Sequence, residues 1–262
     1  MVTDDNQFTI SAGLELGSKN RYTNIFPFDS NRQPLGSPTS ETDGAHSDYV
    51  NASYISYFDG PLYIATQGPL PDTVYDFWKM VWEHHSLVIV MLTKEHENGR
   101  SKCHHYWPDR LGESSNYADL VVKWEAEAEH PDDPSVVTRR FMLSRPSVTD
   151  ETVHITHLHY MGWSDHGVPE NPLGVLRLRQ LARRAQAEGE RAGKSALKIP
   201  IVVHCSAGCG RTGAFCVIDT WTEVPPREFH DDLVFMVVSR FRELRVTMVQ
   251  TTKQFVFCHE AL

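Results

Sequence analysis

The chain has 262 residues, of which 40% are hydrophobic and 23% charged, a composition typical of a soluble globular protein. That length suits one large domain or two small ones, and it allows a sizeable core without disulfides or metal. The formal net charge of -9 disfavours a general nucleic-acid or acidic-membrane binder, because such proteins are usually basic. Any anionic substrate must therefore be held by local positive charge.

Hydrophobic periodicity predicts the elements along the chain. Residues 29–47, rich in Ser, Pro, Gly, Thr and Asp, predict an exposed loop. Apolar residues at helical spacing predict a helix over 71–84, and the apolar run Leu87 to Leu92 predicts a buried strand. Further strands are predicted at 49–57, 62–65, 116–125, 136–143, 152–161 and 199–203, and further helices at 171–192, 211–222, 231–244 and from 251 to the end.

Strands alternate with helices, and no internal repeat or composition break marks a second domain. The pattern therefore predicts an α/β or mixed α+β layer structure. The acidic stretch Glu125 to Pro134 is expected to be the turn between two antiparallel strands. Arginines of the helix near 171–192 indicate a solvated face, with a docking patch for acidic partners as the alternative: Arg177, Arg179, Arg183 and Arg184.

The cysteines disfavour both a disulfide framework and a thiolate zinc site, because the five are scattered and form no CxxC pair. Among the fourteen histidines, the adjacent pairs His84-His85 and His104-His105 have side chains that diverge, and no carboxylate motif completes a metal site around His157 and His159. No cofactor or metal is therefore expected. The first residues do not resemble a signal peptide, and the longest apolar run is too short to cross a bilayer. We expect a cytoplasmic, reducing compartment, no membrane insertion and no nucleic-acid partner.

One segment combines the features of a nucleophile and an anion site. His204-Cys-Ser-Ala-Gly-Cys-Gly-Arg-Thr-Gly213 lies between a predicted strand and a predicted helix. Backbone N–H groups at the start of a helix converge on anions, and glycines let the loop curl around one. A thiol at Cys205 near Arg211 should have a depressed pKa and act as a nucleophile. The arginine fork suits two oxygens of a phosphoryl group.

Two other interpretations of this segment are weaker. The glycines at 208, 210 and 213 formally match a dinucleotide-binding fingerprint. Only about 60 residues follow the preceding strand, however, which leaves too little chain for the rest of that fold. A buried structural cysteine in a glycine-rich turn would not explain the arginine at this spacing.

The segment resembles the signature loop of the cysteine-dependent protein tyrosine phosphatases. Seven further segments resemble motifs of that family in the same order: 19–29, 48–53, 63–69, 77–83, 102–108, 163–169 and 250–254. The resemblance implies a single catalytic domain over residues 1–262, with residues 1–18 peripheral. It also implies a central twisted mixed β-sheet flanked by helices on both faces.

The resemblance implies that the chain hydrolyses phosphotyrosine in proteins, so that phosphotyrosine-containing proteins are its partners. Cys205 would form a phosphocysteine, Arg211 would bind the phosphoryl oxygens, and Asp165 would act as general acid and then as general base. Positioning and charge stabilisation would supply most of the catalysis. The oligomeric state is not predicted.

Supporting roles follow from the same resemblance. Gln250 would position water with help from Gln254, and Thr212 would donate a hydrogen bond to the sulfur. Tyr22 would form one wall of a cleft so deep that phosphoserine falls short of the sulfur. His204 would organise the loop through Tyr106, Glu97 would orient Arg211, and Trp163 belongs to the acid loop. The remaining implied site residues, all for substrate binding, are Asn24, Ser206, Ala207, Gly208, Cys209 and Gly210.

The sequence also departs from the family pattern. Ser164 replaces the usual proline of the acid loop, which removes a backbone restriction, and Asn24 stands where an acidic residue is commonest. A catalytically feeble phosphotyrosine-binding module and a dual-specificity or lipid phosphatase therefore stay open as alternatives. By analogy with some relatives, Cys209 and Cys103 are candidate disulfide partners for an oxidised Cys205.

Overall fold

The computed structural model of the chain describes residues 7–36, 48–163, 167–193, 198–223 and 232–262. The strands in these ranges are β1 (Arg32–Pro34), β2 (Tyr49–Ser56), β3 (Leu62–Thr66), β4 (Val88–Met91), β5 (His96–Glu97), β6 (Arg100–Ser101), β7 (Ser114–Tyr117), β8 (Leu120–His130), β9 (Asp133–Ser144), β10 (Thr152–Tyr160) and β11 (Ile201–His204). The helices are α1 (Ser11–Glu15), α2 (Val74–Glu83), α3 (Leu173–Gly193), α4 (Gly210–Glu223), α5 (Leu233–Leu244) and α6 (Thr252–Glu260).

Nine of these strands form one mixed sheet in the order β1-β2-β3-β11-β4-β10-β9-β8-β7. The four central strands, β3, β11, β4 and β10, run parallel, whereas the outer pairs are antiparallel. Strands β5 and β6 form a separate two-stranded hairpin. Because the carboxyl ends of parallel strands meet at one edge of a sheet, the loop after His204 opens beside the ends of β3 and β4.

Successive residues of the central strands face opposite sides of the sheet, and each side has its own core. Val88 and Val90 of β4 pack in one cluster with α3, α4, α5 and α6. Ile89 and Met91 pack in the other cluster with α2. Strands buried on both faces explain the unbroken apolar run in the sequence. The predicted α+β fold, with a mixed sheet and helices on both faces, is confirmed.

Two sequence predictions about strands and turns were wrong. The acidic stretch from Glu125 to Pro134 is mostly strand, because β8 and β9 pair as far as His130 opposite Asp133. Its charge is accommodated by cross-strand pairing, for example between Glu127 and Arg139 at 2.7 Å. Within the predicted loop 29–47, β1 pairs with β2 at the edge of the sheet; residues 37–47 lie outside the described ranges.

The arginines of α3 do more than form a solvated face. Arg183 Nε donates to Asp219 Oδ1 at 3.0 Å, and Arg179 lies 3.2 Å from the same oxygen. Only 1% of the Asp219 side chain is exposed, so its carboxylate needs these partners. The pairs hold α3 against α4, although Arg184 and Glu188 form an exposed pair as expected.

No helix in the described part of the chain combines the length and the apolar character needed to span a membrane.

Candidate active site

The loop between β11 and α4 has the shape of an anion-binding loop. Gly208 has a φ of +71°, and a Cβ there would lie 2.2 Å from the Thr66 carbonyl oxygen, so a larger residue does not fit. The N–H groups of Ser206, Ala207 and Gly208 donate no hydrogen bond to any described residue. Together with the first turn of α4, they are available to an anion.

Cys205 begins this loop and is 4% exposed. Burial raises the pKa of its thiol, whereas the positive charge of Arg211 lowers that pKa. Hydrogen bonds from the Thr212 hydroxyl and from the N–H groups of Thr212 and Cys209 lower the pKa further, so that it lies below its ordinary value. The buried Thr212 hydroxyl has no hydrogen-bond partner within bonding distance among the described residues, so it is available to turn toward the thiolate. The site therefore favours a thiolate.

The other four cysteines show how specific this effect is. All five cysteines are buried free thiols. Burial raises the pKa of Cys103, Cys209, Cys216 and Cys258. The low pKa therefore comes from the donors around Cys205 and not from a general property of the core. A disulfide between Cys205 and Cys209 or Cys103 under oxidation stays a prediction.

Arg211, 3% exposed, is held by two separate segments. Its Nη1 and Nη2 donate to Glu97 Oε1 and Oε2 at 2.7 and 3.1 Å, a bidentate pair. Nη1 also donates to the Trp163 carbonyl at 3.0 Å. The structure thus places the Glu97 carboxylate and the Trp163 carbonyl around the arginine. These bonds fix the plane of the guanidinium beside the thiol.

Cys205 and Arg211 lie in a cleft of about 390 Å³. Its lining includes eight of the predicted site residues, namely Tyr22, Asn24, Cys205, Ser206, Ala207, Arg211, Gln250 and Gln254. Among the described residues, the charged side chains of the lining are basic, namely Arg21, Arg100, Lys102 and Arg211. Local positive charge therefore offsets the net charge of the chain. Within the described ranges, no three His, Cys, Asp or Glu side chains group as metal ligands.

Tyr22 stands over one side of the loop and is anchored to it. Ser206 Oγ donates to the Lys102 carbonyl at 2.9 Å and therefore accepts from Tyr22 Oη at 2.7 Å. The neighbouring Arg21 donates to the carbonyls of Gly68, Pro69 and Ser101. Tyr22 is thus a wall of fixed position, with the exposed Asn24 at the rim beside it.

Gln250 and Gln254 also line the cleft. Gln254 Oε1 accepts from the N–H groups of Gln250 and Thr251 at 2.9 and 3.3 Å, and Thr251 Oγ1 accepts from Gln254 N. This capping box begins α6. A Cβ at Gly210 would lie 2.7 Å from Gln250 Oε1, so the missing side chain lets this glutamine approach the loop.

Asp165 lies outside the described residues, together with Ser164 and His166. The residues on either side are placed. Trp163 is 1% exposed, packs on Phe257 and donates from Nε1 to the Gly167 carbonyl at 3.0 Å. This tryptophan therefore anchors the point from which the predicted acid loop departs.

His204 and Tyr106 lie beneath the loop, away from the cleft. His204 Nε2 is 2.8 Å from Tyr106 Oη, and His204 Nδ1 is 3.2 Å from the Cys205 carbonyl. Burial lowers the pKa of His204 to about 3, so the imidazole is neutral. It organises the loop and does not titrate near neutral pH.

Sequence reasoning missed Arg245, which braces the loop from below. Its guanidinium is fully buried and donates to the carbonyls of Gly208 and Ala207 at 2.8 and 3.0 Å. Further bonds reach Asn51 Oδ1 at 2.7 Å and Ser53 Oγ at 3.2 Å. Nothing in the local pattern after α5 indicated this role, because each partner comes from a distant segment.

We expect Arg245→Met to destabilise the fold by about 2–4 kcal/mol, because it leaves several buried oxygens without donors. Urea unfolding measures this difference. Arg240→Met is the control, on the helix α5 that precedes Arg245. An exposed pair with Glu243 is lost there, and the expected cost is below about 0.5 kcal/mol. Equal stability losses in the two variants would contradict the bracing role.

Comparisons with known proteins agree with this geometry. The family model described as protein-tyrosine phosphatase matches residues 17–262. The human tyrosine-protein phosphatase non-receptor type 12 is 38% identical over 250 residues, covering 93% of this chain and 30% of that protein. The human receptor-type tyrosine-protein phosphatase C is 40% identical over 247 residues, covering 94% of this chain and 18% of that protein. The chain thus spans less than a third of these relatives.

Solved structures show the same architecture. The catalytic domain of human protein tyrosine phosphatase non-receptor type 18 superposes with a TM-score of 0.82 at 35% identity, over 97% of this chain and 86% of that one. A structure of that phosphatase in complex with HER2-pY1248 phosphopeptides matches with the same TM-score at 34% identity, over 97% of this chain and 90% of that one. On the family model, the curated relatives and the fold, the chain belongs to the protein-tyrosine phosphatase family.

Proposed function

We propose that this chain is a protein tyrosine phosphatase that hydrolyses phosphotyrosine through a phosphocysteine intermediate. The observation that carries the proposal is the arrangement at the cleft: Cys205 lies beside Arg211 and the donors of the loop, which lower the pKa of its thiol. The names of the relatives support the same chemistry. No metal is needed, since the arginine and the loop N–H groups supply the positive charge that phosphoryl transfer demands.

In the first step the Cys205 thiolate attacks phosphorus, an S–P bond forms, and the bond from phosphorus to the tyrosine oxygen breaks. Tyrosine has a pKa of about 10, so its oxygen needs a proton as it leaves. We assign that proton to Asp165 on the family resemblance. Arg211 holds the phosphoryl oxygens, and Glu97 keeps its fork aligned.

In the second step water attacks the phosphocysteine, the S–P bond breaks, and inorganic phosphate leaves. Asp165 takes the proton from water, and the thiolate is restored. Gln250 is suited to orient the water because it lies against Gly210 at the loop, while Gln254 holds the Gln250 backbone. The Thr212 hydroxyl stabilises the departing thiolate.

Tyr22 supports specificity for phosphotyrosine. Its position, fixed by Ser206, makes a wall on which an aromatic ring can stack. Cys205 lies buried at the cleft, so a long substrate side chain is needed to bring phosphorus to the sulfur. Phosphoserine is shorter and would stop above it.

Phosphate release from phosphotyrosyl, phosphoseryl and phosphoinositide substrates tests the proposal, with Cys205→Ser as the inactive control. We expect turnover of phosphotyrosyl peptides only. Equal activity on phosphoserine or phosphoinositide would instead indicate a dual-specificity or lipid phosphatase. Tight binding of phosphotyrosyl peptides without turnover by the wild type would indicate a binding module.

Arg100 at the rim should favour acidic residues next to the phosphotyrosine. It is exposed, it lines the cleft, and it has no ion-pair partner among the described residues. We expect Arg100→Gln to raise KM for an acidic-flanked peptide by about 2- to 5-fold, the value of an exposed pair. KM for a neutral peptide, and both values in the control Arg110→Gln, should stay unchanged. Equal effects on the two peptides would contradict the assignment.

Ser164 should alter the closure of the acid loop, because proline would restrict the backbone before Asp165. We expect Ser164→Pro to raise kcat by about 2- to 5-fold through a smaller loss of backbone entropy on closure. Stopped-flow kinetics would measure turnover and loop motion together. Unchanged turnover with unchanged loop kinetics would refute this expectation.

We further propose a reducing, cytoplasmic location. All five cysteines are buried free thiols, which fits a compartment that keeps thiols reduced. The activity, substrates and partners of the whole protein are also proposals, because the curated relatives extend far beyond the matched region.

A further inference from the structure

Three buried side chains connect β10 to the loop that carries Cys205. Tyr106 Oη lies 2.8 Å from His157 Nε2 on one side and 2.8 Å from His204 Nε2 on the other. All three side chains are fully buried. His157 belongs to β10 and His204 to β11, and both strands flank β4. A hydroxyl between two imidazoles has one proton to give, so the direction of the two bonds is a structural choice.

The geometry at His204 determines that choice at one end. Its Nδ1 lies 3.2 Å from the Cys205 carbonyl oxygen, which can only accept, so Nδ1 carries the proton. Burial lowers the pKa of His204 to about 3, so Nε2 carries none. Tyr106 therefore donates its proton to His204 Nε2, and its oxygen is left to accept from His157 Nε2–H.

The geometry at His157 leads to the same direction independently. Its Nδ1 is buried and has no partner among the described residues. A proton on Nδ1 would be a buried donor without an acceptor. An unprotonated Nδ1 is an unpaired acceptor, which costs less free energy. The proton therefore belongs on Nε2, facing Tyr106.

The groups around His157 also keep it neutral. Burial is the main cause that lowers its pKa well below the ordinary value, and the charge of Arg139 on β9 adds to it. The remaining contributions come from other imidazoles, those of His159, His204 and His105, and all act in the same direction. Near neutral pH His157 is thus a fixed single donor and no proton switch.

We infer that His157 is a positioning residue for the phosphate-binding loop. Through Tyr106 it disfavours the other tautomer of His204. Two N–H donors on one hydroxyl would leave the hydroxyl proton only the Met91 sulfur at 3.9 Å, which is a weak acceptor. With that tautomer disfavoured, His204 Nδ1–H holds the Cys205 carbonyl. The Cys205 carbonyl and the Ser206 N–H belong to the same planar, trans peptide unit. Fixing the carbonyl therefore also fixes the N–H, which points in the opposite direction. The chain of bonds thus sets the orientation of a loop donor.

The catalytic consequence rests on the proposed function, but the bonding order does not. The first experiment therefore avoids turnover: 15N NMR of the imidazoles in the wild-type protein. We expect His157 as the Nε2–H tautomer and His204 as the Nδ1–H tautomer, assigned with His157→Gln and a His204 variant. An Nδ1–H tautomer at His157 would overturn the inference even if the protein is a phosphatase.

The second experiment measures iodoacetamide alkylation of Cys205 against pH in His157→Leu and His157→Gln. We expect mixed tautomers at His204 in His157→Leu, an alkylation midpoint moved to higher pH, and kcat lower by about 3- to 10-fold, the effect of one hydrogen bond. Glutamine restores the donor and should restore the wild-type midpoint.

The matched control is His154→Leu on the same strand, where the side chain is exposed and pairs with Glu125. It should leave the midpoint and kcat unchanged. In the Tyr106→Phe background, His157→Leu should move the midpoint no further, because the connection is already broken. An additional shift there, or a failure of glutamine to restore the midpoint in a folded protein, would refute the positioning role. If the wild-type protein shows the expected tautomers but has no phosphatase activity, only the proposed function is refuted.

Discussion

Cys205→Ser should abolish phosphatase turnover while the protein still binds phosphotyrosyl peptides. A serine hydroxyl stays protonated where the thiol ionises, so no covalent phosphoenzyme forms, and we expect a loss of at least about 10⁴-fold in kcat. Arg211 and the loop N–H groups remain in place to hold the phosphate. Rapid-quench kinetics with a phosphotyrosyl peptide, together with calorimetric binding to Cys205→Ser, measures both halves of this expectation.

Cys258→Ser is the control, since this buried thiol in α6 lies outside the cleft and burial raises its pKa. It should keep turnover close to wild type. Alkylation gives a second reading: only Cys205 should react rapidly at pH values below the ordinary thiol range, because its pKa is lowered. Substantial turnover by Cys205→Ser would remove the phosphocysteine step from the mechanism.

Arg211→Lys should be nearly as damaging, although the charge is kept. Lysine offers a point charge where the arginine presents a planar fork gripped by both oxygens of Glu97. Its ammonium cannot hold two phosphoryl oxygens and the carboxylate in one plane. We expect kcat/KM for a phosphotyrosyl peptide to fall by roughly 10³-fold, comparable to the loss of other transition-state arginines.

Glu97→Gln separates charge from geometry at the same pair. The amide keeps one acceptor for the guanidinium, so we expect a smaller loss of about 10-fold in kcat/KM. Thermal unfolding of both variants checks that the fold is intact. A loss in Arg211→Lys no larger than that in Glu97→Gln would show that the fork is not what the reaction needs.

Local patterns were sufficient to predict the parts of the fold whose burial follows the sequence closely. The helix at 71–84 was readable because Val74, Phe77 and Val81 recur on one face, and β4 because it is buried on both sides. The long hairpin of β8 and β9 could not be predicted in this way, because its charged residues suggest a turn but in the structure pair across the two strands. A charge run shows exposure but not backbone geometry.

The site was predictable where residues lie close together in sequence or match a family pattern. The loop from Cys205 to Arg211 carries its chemistry within seven positions, and Tyr22, Gln250 and Glu97 came from resemblance. Arg245 and His157 were missed because their roles exist only after folding. Arg245 reaches Asn51 across 194 positions of sequence, and His157 acts through a tyrosine 51 positions away.

Arg211 also couples anion binding to the backbone at Trp163. One of its nitrogens bonds both Glu97 and the Trp163 carbonyl, so an anion that reorients the guanidinium also pulls on the backbone where residues 164–166 begin. By thermodynamic reciprocity, the factor by which a bound oxyanion shifts that backbone equals the factor by which the backbone shifts oxyanion affinity. Substitutions at Trp163 and Gly167, the described residues on either side of this segment, should therefore be visible in the affinity for a simple oxyanion inhibitor.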